Sequence, residues 1–277
     1  MKKIDPKARL TSLLLVEERL QEAEYFARRL SNPTDTCTVG YELNAFLSAA
    51  RSVTFILQKE FSSVPGFEDW LNKERAELGK DSAARFFRDL RNYSQKEGRI
   101  SLVGSRKGDG TWFHMIAGTA EVVPNSLLHR PIDDCCLEHL AKLAQLILRC
   151  AGRFPYHCSP ERALTPEGVS ALGLDLDRLE LAVGIPTDVS AARPIDTVEV
   201  RTRLLRRYVD QVDFDEIRRI ASHEALPALK RNGDFGPSLG LSMVEQIERC
   251  RVTGEDAALA VKIGVVAEAL GLKPDKG

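Results

Sequence analysis

Apolar residues recur at three- and four-residue spacing along most of the chain, which is the pattern of amphipathic helices that share a core. In the first part of the chain this pattern predicts helices over residues 7–30, 37–61, 67–78 and 81–98. The second helix is apolar on two flanks, with Phe46 and Leu57 on one and Ala45 and Ile56 on the other. Because such a helix packs against two neighbours, we expect it to lie centrally.

The period changes after residue 98. Arg99–Gly104 and Thr111–Ile116 flank a turn that contains glycines, so we expect a β-hairpin, whose second strand could extend to Val123. From Pro131 onward the helical spacing returns. It predicts helices over residues 135–150, 175–183, 198–211, 213–221, 238–250 and 255–270, a further helix that starts at 165–167, and a loop at 155–160.

These elements predict a mainly α fold. We expect a helical bundle with a small β-hairpin over residues 1–125 and a helical C-terminal region over residues 130–277. The two regions could also pack as a single domain.

Residues 81–98 contain the candidate binding residues that are most closely spaced along the chain. At about 100° per residue, one arc of ~140° on this helix holds Arg85, Arg88, Arg91, Asn92, Gln95 and Lys96. Asp81 is suited to be the N-cap and Gly98 to end the helix. Cations and amides on one face suit phosphate oxygens, and the alternative is an ordinary solvated helix face.

The run Leu-Arg-Asn-Tyr-Ser-Gln-Lys-Glu-Gly at residues 90–98 resembles the signature helix of HEPN domains, in which an Arg, often followed by Asn, precedes a His. Residues 41–52 resemble the helix that lies upstream of it in some members. The resemblance covers roughly residues 7–100. It departs at the histidine, because Lys96 occupies that position and Glu97 follows it.

For HEPN ribonucleases the resemblance implies a metal-free homodimer whose signature helices face each other. By position, Arg91 matches the Arg that holds the scissile phosphate, Asn92 the polar residue after it, and Lys96 the His that moves protons. A lysine base needs its pKa lowered from about 10.4 to about 7, and an exposed helix end provides little desolvation. We therefore expect Lys96 to stay protonated and to bind phosphate.

The catalytic candidates are thus Arg91, Asn92 and Lys96, and any activity would be that of a metal-independent endoribonuclease. We expect nucleic acid to bind through Arg85, Arg88, Arg91, Gln95, Lys96 and Arg99. His114 and His129 could supply an imidazole from outside the motif, although a structural role suits each as well. No cofactor is indicated, and Cys150, His157 and Cys158 lack a second ligand pair at zinc spacing.

Charge and composition limit where nucleic acid could bind and which cellular compartment is expected. The net charge is −1, so nucleic-acid binding requires a local patch, and residues 80–107 provide one with eight Lys or Arg against three acidic residues. The sequence shows no secretory signal or long apolar run. Its six cysteines have no framework spacing, which suits reduced thiols and a cytoplasmic protein.

The sequence therefore predicts a HEPN-like homodimer that binds RNA or another phosphate-bearing ligand, with ribonuclease activity weak or lost. The alternative is a non-enzymatic scaffold with no nucleic-acid role, in which the C-terminal helices engage a protein partner. Neither hypothesis involves a membrane.

Overall fold

Helices dominate the described part of the chain, which in this computed structural model comprises residues 10–31, 36–106, 108, 110, 112–182 and 197–223. The first helices are α1 (Leu14–Arg29), α2 (Thr36–Phe61), α3 (Phe67–Leu78) and α4 (Ser82–Lys96). The hairpin strands β1 (Leu102–Arg106) and β2 (Trp112–Ile116) follow. The later helices are α5 (Ile132–Arg153), α6 (Pro155–Cys158), α7 (Pro160–Ala163), α8 (Pro166–Leu172), α9 (Leu176–Ala182), α10 (Val198–Leu205) and α11 (Phe214–Ala221). The predicted mainly α fold with a small antiparallel hairpin is confirmed.

Helix α2 is the centre of the packing, as its two apolar flanks predicted. It contacts α1, α3, α4, α5 and β1, and its Phe46, Val53 and Leu57 are fully buried. Helix α5 brings Leu140 and Ile147 into the same core and also packs against α1 and α11. One hydrophobic core therefore includes residues on both sides of positions 125–130, which lie between the two regions predicted from the sequence.

Several predicted boundaries differ from the structure. Helix α1 begins at Leu14 and not at residue 7, because the Leu13 amide donates to the Cys158 carbonyl at 3.1 Å and Leu10 packs on a second, smaller core cluster. The helix predicted over 198–211 ends at Leu205, where the amides of Arg207 and Tyr208 bond to carbonyls three residues back.

Two other predictions between the hairpin and α8 were wrong. Strand β2 does not reach Val123, because the amides of Val122 and Val123 turn back to the Thr119 carbonyl. Residues 155–160 are not a plain loop, since α6 and α7 both begin at a proline in this stretch. The helices predicted over residues 238–250 and 255–270 lie outside the described residues.

Helix α4 is fixed at its N-terminal end by Asp81. The Asp81 carboxylate accepts from the Ala84 amide at 3.0 Å, as an N-cap does, and its other oxygen accepts from Lys142 Nζ of α5 at 2.5 Å. Desolvation raises the pKa of this carboxyl, but the hydrogen bonds from Lys142 and Ala84 outweigh it and hold the pKa below its ordinary value. One side chain thus caps α4 and ties it to α5.

The hairpin pairs its strands in one register, with Leu102 opposite Ile116 and Gly104 opposite His114. The Trp112 ring lies over Gly104, where a larger residue would crowd it, and the Arg106 guanidinium stacks 4.8 Å from the Trp112 ring centre. Within the described ranges, no helix combines the length and the apolar composition needed to cross a membrane.

We expect Asp81→Asn to lower the free energy of unfolding at pH 7 by about 1 kcal/mol or less, because its partially exposed pair with Lys142 is lost while Asn still caps the helix. The folded-state pKa of Asp81 lies below its unfolded value. Its contribution is therefore fully present above about pH 4 and disappears as the pH falls through the folded-state pKa. Urea unfolding between neutral and acidic pH measures this difference.

The exposed Asp89 of the same helix provides the control, since Asp89→Asn removes an equal charge without disturbing the N-cap. A difference between wild type and Asp81→Asn that persists undiminished in acid would contradict the role given to this carboxylate.

Candidate functional site

A cavity of about 350 Å³ opens between α2, α3, α4 and α5, and arginines surround it. We call it the arginine pocket; its five arginines are Arg51 of α2, Arg75 of α3, and Arg85, Arg88 and Arg91 of α4. Three elements thus direct cations toward one space. A cavity of this volume falls within the range of small-molecule sites.

The local sequence explains why the arginines converge. On α4 the three arginines are spaced by three residues, so they form one row, while Phe87 on the adjacent face is only 2% exposed and anchors the helix to the core. The Phe87 ring meets Phe46 of α2 edge-on, with ring centres 6.1 Å apart. Packing of Phe87 therefore sets the row of arginines against α2, where Arg51 lies.

The floor of the pocket is apolar. Its aliphatic and aromatic lining consists of Leu47, Ala50, Leu78, Ala84, Phe87 and Leu143. Guanidinium groups around an apolar floor form a site that suits a ligand with an anionic end and a less polar body.

The arginines of the pocket are bonded mainly to neutral groups. Arg51 donates to Thr54 Oγ1 at 2.9 Å, Arg75 to Gln58 Oε1 at 2.8 Å, and Arg91 to Asn92 Oδ1 at 3.4 Å. Among the described residues, the ion pair of this group is that of Arg88 with Asp89 at 3.0 Å, in which both side chains are more than half exposed. Such a surface pair is screened by water and neutralises little of the charge.

Arg51 shows what this imbalance costs. Its pKa lies below the ordinary arginine value, first because the group is desolvated and then because Arg75, Arg91 and Arg88 repel it. The buried Nε of Arg91 also has no hydrogen-bond partner in the described part of the chain. An anion in the pocket would offset the repulsion at Arg51.

The sequence leaves open whether Glu42 pairs with Arg51, with an arginine of α4, or in an ordinary surface ion pair. The structure pairs Glu42 with Arg29 of α1, on the other side of α2 from the pocket. The consequence is electrostatic, because Arg51 is left with the Thr54 hydroxyl as its partner.

His139 of α5 also lines the pocket, although it is not among the site residues predicted from the sequence. Its ring stacks on Phe87 with centres 4.6 Å apart and planes inclined by 15°. Desolvation and then the charge of Lys142 lower its pKa to about 4, so the imidazole is neutral at pH 7 and is a weak base. Its Nδ1 is buried and has no partner among the described groups.

A signal for His139 did exist in the sequence. It lies four residues before Leu143, at the edge of the apolar stripe of α5, where a polar residue faces a neighbouring helix. By contrast, His114 is buried in the hairpin, His129 is exposed in a turn with φ 59°, and neither lines the pocket.

The structure divides the predicted site residues into two groups. Arg85, Arg88 and Arg91 line the pocket. The other predicted residues, Asn92, Gln95, Lys96 and Arg99, are exposed and are not among its lining residues. Asn92 approaches the site through its contact with Arg91, whereas the Arg99 guanidinium lies beside Gly40 in the first turns of α2.

Metal ligation has no geometric support among the described side chains, where no group of three or more His, Cys, Asp or Glu converges. Cys150 and Cys158, which the sequence placed close together, are both buried with their Sγ atoms 4.0 Å apart. Cys136 is also buried, and this burial raises its pKa. These thiols therefore suit the role of small core residues.

Residues 11–133 match a family model described as bacteriophage lambda protein ea47. The match covers less than half of the chain and shows similarity to that family over this range. It includes all five arginines of the pocket and ends before His139. The description names a protein and not an activity. No curated protein and no solved structure matches the chain.

We expect the free energy of unfolding of Arg51→Gln to depend less on salt than that of the wild type. In the wild type, salt screens the repulsion among the pocket arginines and so stabilises the fold, and the variant has one fewer cation there. The effect is a few tenths of a kcal/mol, because the groups are partly exposed to water. Urea unfolding at about 20 mM and about 300 mM NaCl measures it.

Arg203→Gln is the matched control, since Arg203 is an exposed arginine of α10 that does not line the pocket. Equal salt dependence in Arg51→Gln and in the wild type would show that the arginines do not repel one another appreciably.

Proposed function

We propose that this protein binds RNA or another phosphate-bearing ligand in the arginine pocket, with ribonuclease activity weak or lost. The observation that carries the proposal is the convergence of arginines from α2, α3 and α4 on one cavity with little compensating negative charge. Guanidinium groups donate paired N–H groups in a plane, which matches the oxygens of a phosphate. Phosphate is therefore the ligand group that the pocket fits best.

The positions of Lys96 and His139, two candidate bases, support weak or lost activity. Lys96, at the position of the HEPN histidine, is exposed on the last turn of α4 and does not line the pocket. His139 does line it, but with a pKa of about 4 it is a poor proton acceptor at neutral pH. Any cleavage would follow the metal-independent route that the resemblance to HEPN domains implies.

We expect Arg91→Gln to weaken RNA binding about tenfold or more, because the variant lacks the guanidinium that would form a charge-assisted hydrogen bond to phosphate. Binding of a labelled single-stranded RNA, measured in EDTA at low and moderate salt, tests this, and wild-type affinity should fall steeply as salt rises. The same samples, incubated and analysed on a gel, report cleavage by wild type, Arg91→Gln and Lys96→His.

Arg203→Gln serves again as the variant of equal charge. If Arg91→Gln and Arg203→Gln bind RNA as tightly as the wild type, the pocket is not the site. Efficient cleavage by the wild type, abolished in Arg91→Gln, would refute the assignment of weak or lost activity. Cleavage gained only by Lys96→His would support a nuclease disabled at that position.

We also propose that the protein is a HEPN-like homodimer joined through α4, whose C-terminal half is exposed from Asn92 to Lys96 except at Ser94. Tyr93, 45% exposed there, offers an aromatic contact. Sedimentation at micromolar concentration should therefore give a dimer, and Tyr93→Glu should give a monomer with the same helical circular dichroism. A monomeric wild type would contradict this arrangement.

One observation favours the alternative of a protein-interaction scaffold without a nucleic-acid role. The hairpin exposes Val103 by 45% and Trp112 by 52%, and such exposed apolar side chains are common at contact surfaces. The C-terminal helices assigned to a partner lie partly outside the described residues. In this alternative, salt and Arg91→Gln leave partner binding unchanged.

We also propose that the protein is located in the cytoplasm. The described cysteines are free thiols, and four of them are buried. Thiols in this state suit a reducing compartment.

A further inference from the structure

The charge of the arginine pocket exceeds what one internal phosphodiester would balance. Arg51, Arg75, Arg85 and Arg91 have no ion-pair partner among the described residues. An internal phosphodiester of a nucleic acid carries one negative charge, whereas a terminal phosphate carries about −1.5 to −2 at pH 7. The pKa of Arg51 is lowered first by desolvation and then by repulsion from its neighbouring arginines, and a more highly charged group would offset that repulsion better.

The size of the cavity favours the end of a ligand over a continuous strand. At about 350 Å³ it lies near the lower limit for small-molecule sites, and four helices contribute walls to it. A single-stranded RNA that binds along its length instead uses an open groove with successive stacking platforms. One nucleotide matches the pocket better than several.

The lining also indicates what accompanies the phosphate. Leu47, Ala50 and Leu143 present apolar surface that inorganic phosphate would leave without a partner. The imidazole of His139, neutral at pH 7, belongs to the same lining. A nucleoside offers a flat ring that can lie on this apolar surface.

We propose that the arginine pocket takes the terminal phosphate of a nucleotide, with the attached nucleoside on the apolar floor beside His139. This inference rests on the proposed phosphate-binding function and narrows it. The nucleotide has two sources with the same chemistry, a free nucleoside monophosphate or the phosphorylated end of an RNA strand.

The test compares two RNA octamers of one sequence, labelled at the 3′ end, that carry either a 5′-phosphate or a 5′-hydroxyl. We expect the phosphorylated strand to bind the wild type about tenfold or more tightly, because it adds charge-assisted hydrogen bonds to arginine. AMP, ribose 5-phosphate, adenosine and inorganic phosphate then compete for the same site. We expect AMP to compete best, since it alone of these competitors offers both phosphate and base.

Variants connect the preference to the pocket. Arg51→Gln should bring the two strands to nearly equal affinity, and Arg203→Gln should leave the preference intact. If Arg51→Gln fails to fold, Arg85→Gln provides the same test, because Arg85 is exposed and its replacement disturbs no described hydrogen bond. Tighter binding of AMP than of the phosphorylated strand would assign the site to a free nucleotide, and the reverse order would assign it to a strand end.

The outcomes separate this inference from the proposed function. Equal binding of both octamers to the wild type, weakened by Arg91→Gln, would overturn terminal-phosphate recognition and leave RNA binding at the pocket intact. Equal competition by AMP and inorganic phosphate would overturn the role of the apolar floor. If none of the phosphate-bearing probes binds, both proposals fail.

Discussion

The contact between Phe87 of α4 and the core around α2 and α5 determines where the arginines lie. The Phe87 ring is buried between Phe46 and the imidazole of His139, and it can occupy that position in only one rotation of α4 about its axis. That rotation turns Arg85, Arg88 and Arg91 toward Arg51, because side chains three residues apart share a face. Hydrophobic packing thus holds together cations that would separate in water.

This arrangement has an electrostatic cost within the folded chain. Apolar burial is worth about 1.5–3 kcal/mol for a fully buried phenylalanine, which exceeds the repulsion between partly exposed guanidinium groups in screened solvent. The fold can therefore hold the arginines without acidic partners. Other half-buried arginines of the chain are paired with acids, as Arg219 is with Glu24 and Glu216, and Arg201 with Glu180. Against these pairs, the proposed anion binding rests on the lack of described acidic partners for Arg51 and Arg91.

Local sequence patterns were sufficient to predict most of the fold and part of the candidate site. The Asp81 cap, the α3 bounds and the hairpin followed from residues close in sequence, as did the row of arginines on α4. Arg75 and His139 could not be assigned in this way, because they reach the pocket only through tertiary packing of α3 and α5. The start of α1 was misplaced for the same reason, since the Cys158 carbonyl that holds the Leu13 amide is distant in sequence.

The partners of charged residues were the least predictable feature, and the proposed function depends on them. The sequence left the partner of Glu42 open, and a pair between Glu42 and an arginine of the pocket would have neutralised part of its charge. The structure pairs Glu42 with Arg29 instead, through contacts between α1 and α2 that the spacing on α2 alone does not encode. Because no described acid pairs with Arg51, it joins Arg85, Arg88 and Arg91 of α4 around a cationic cavity, while the rest of the polar face of α4 is exposed to solvent. The sequence centred the candidate site on the exposed end of α4, around Lys96. In the structure, its centre lies at the buried side of Arg91.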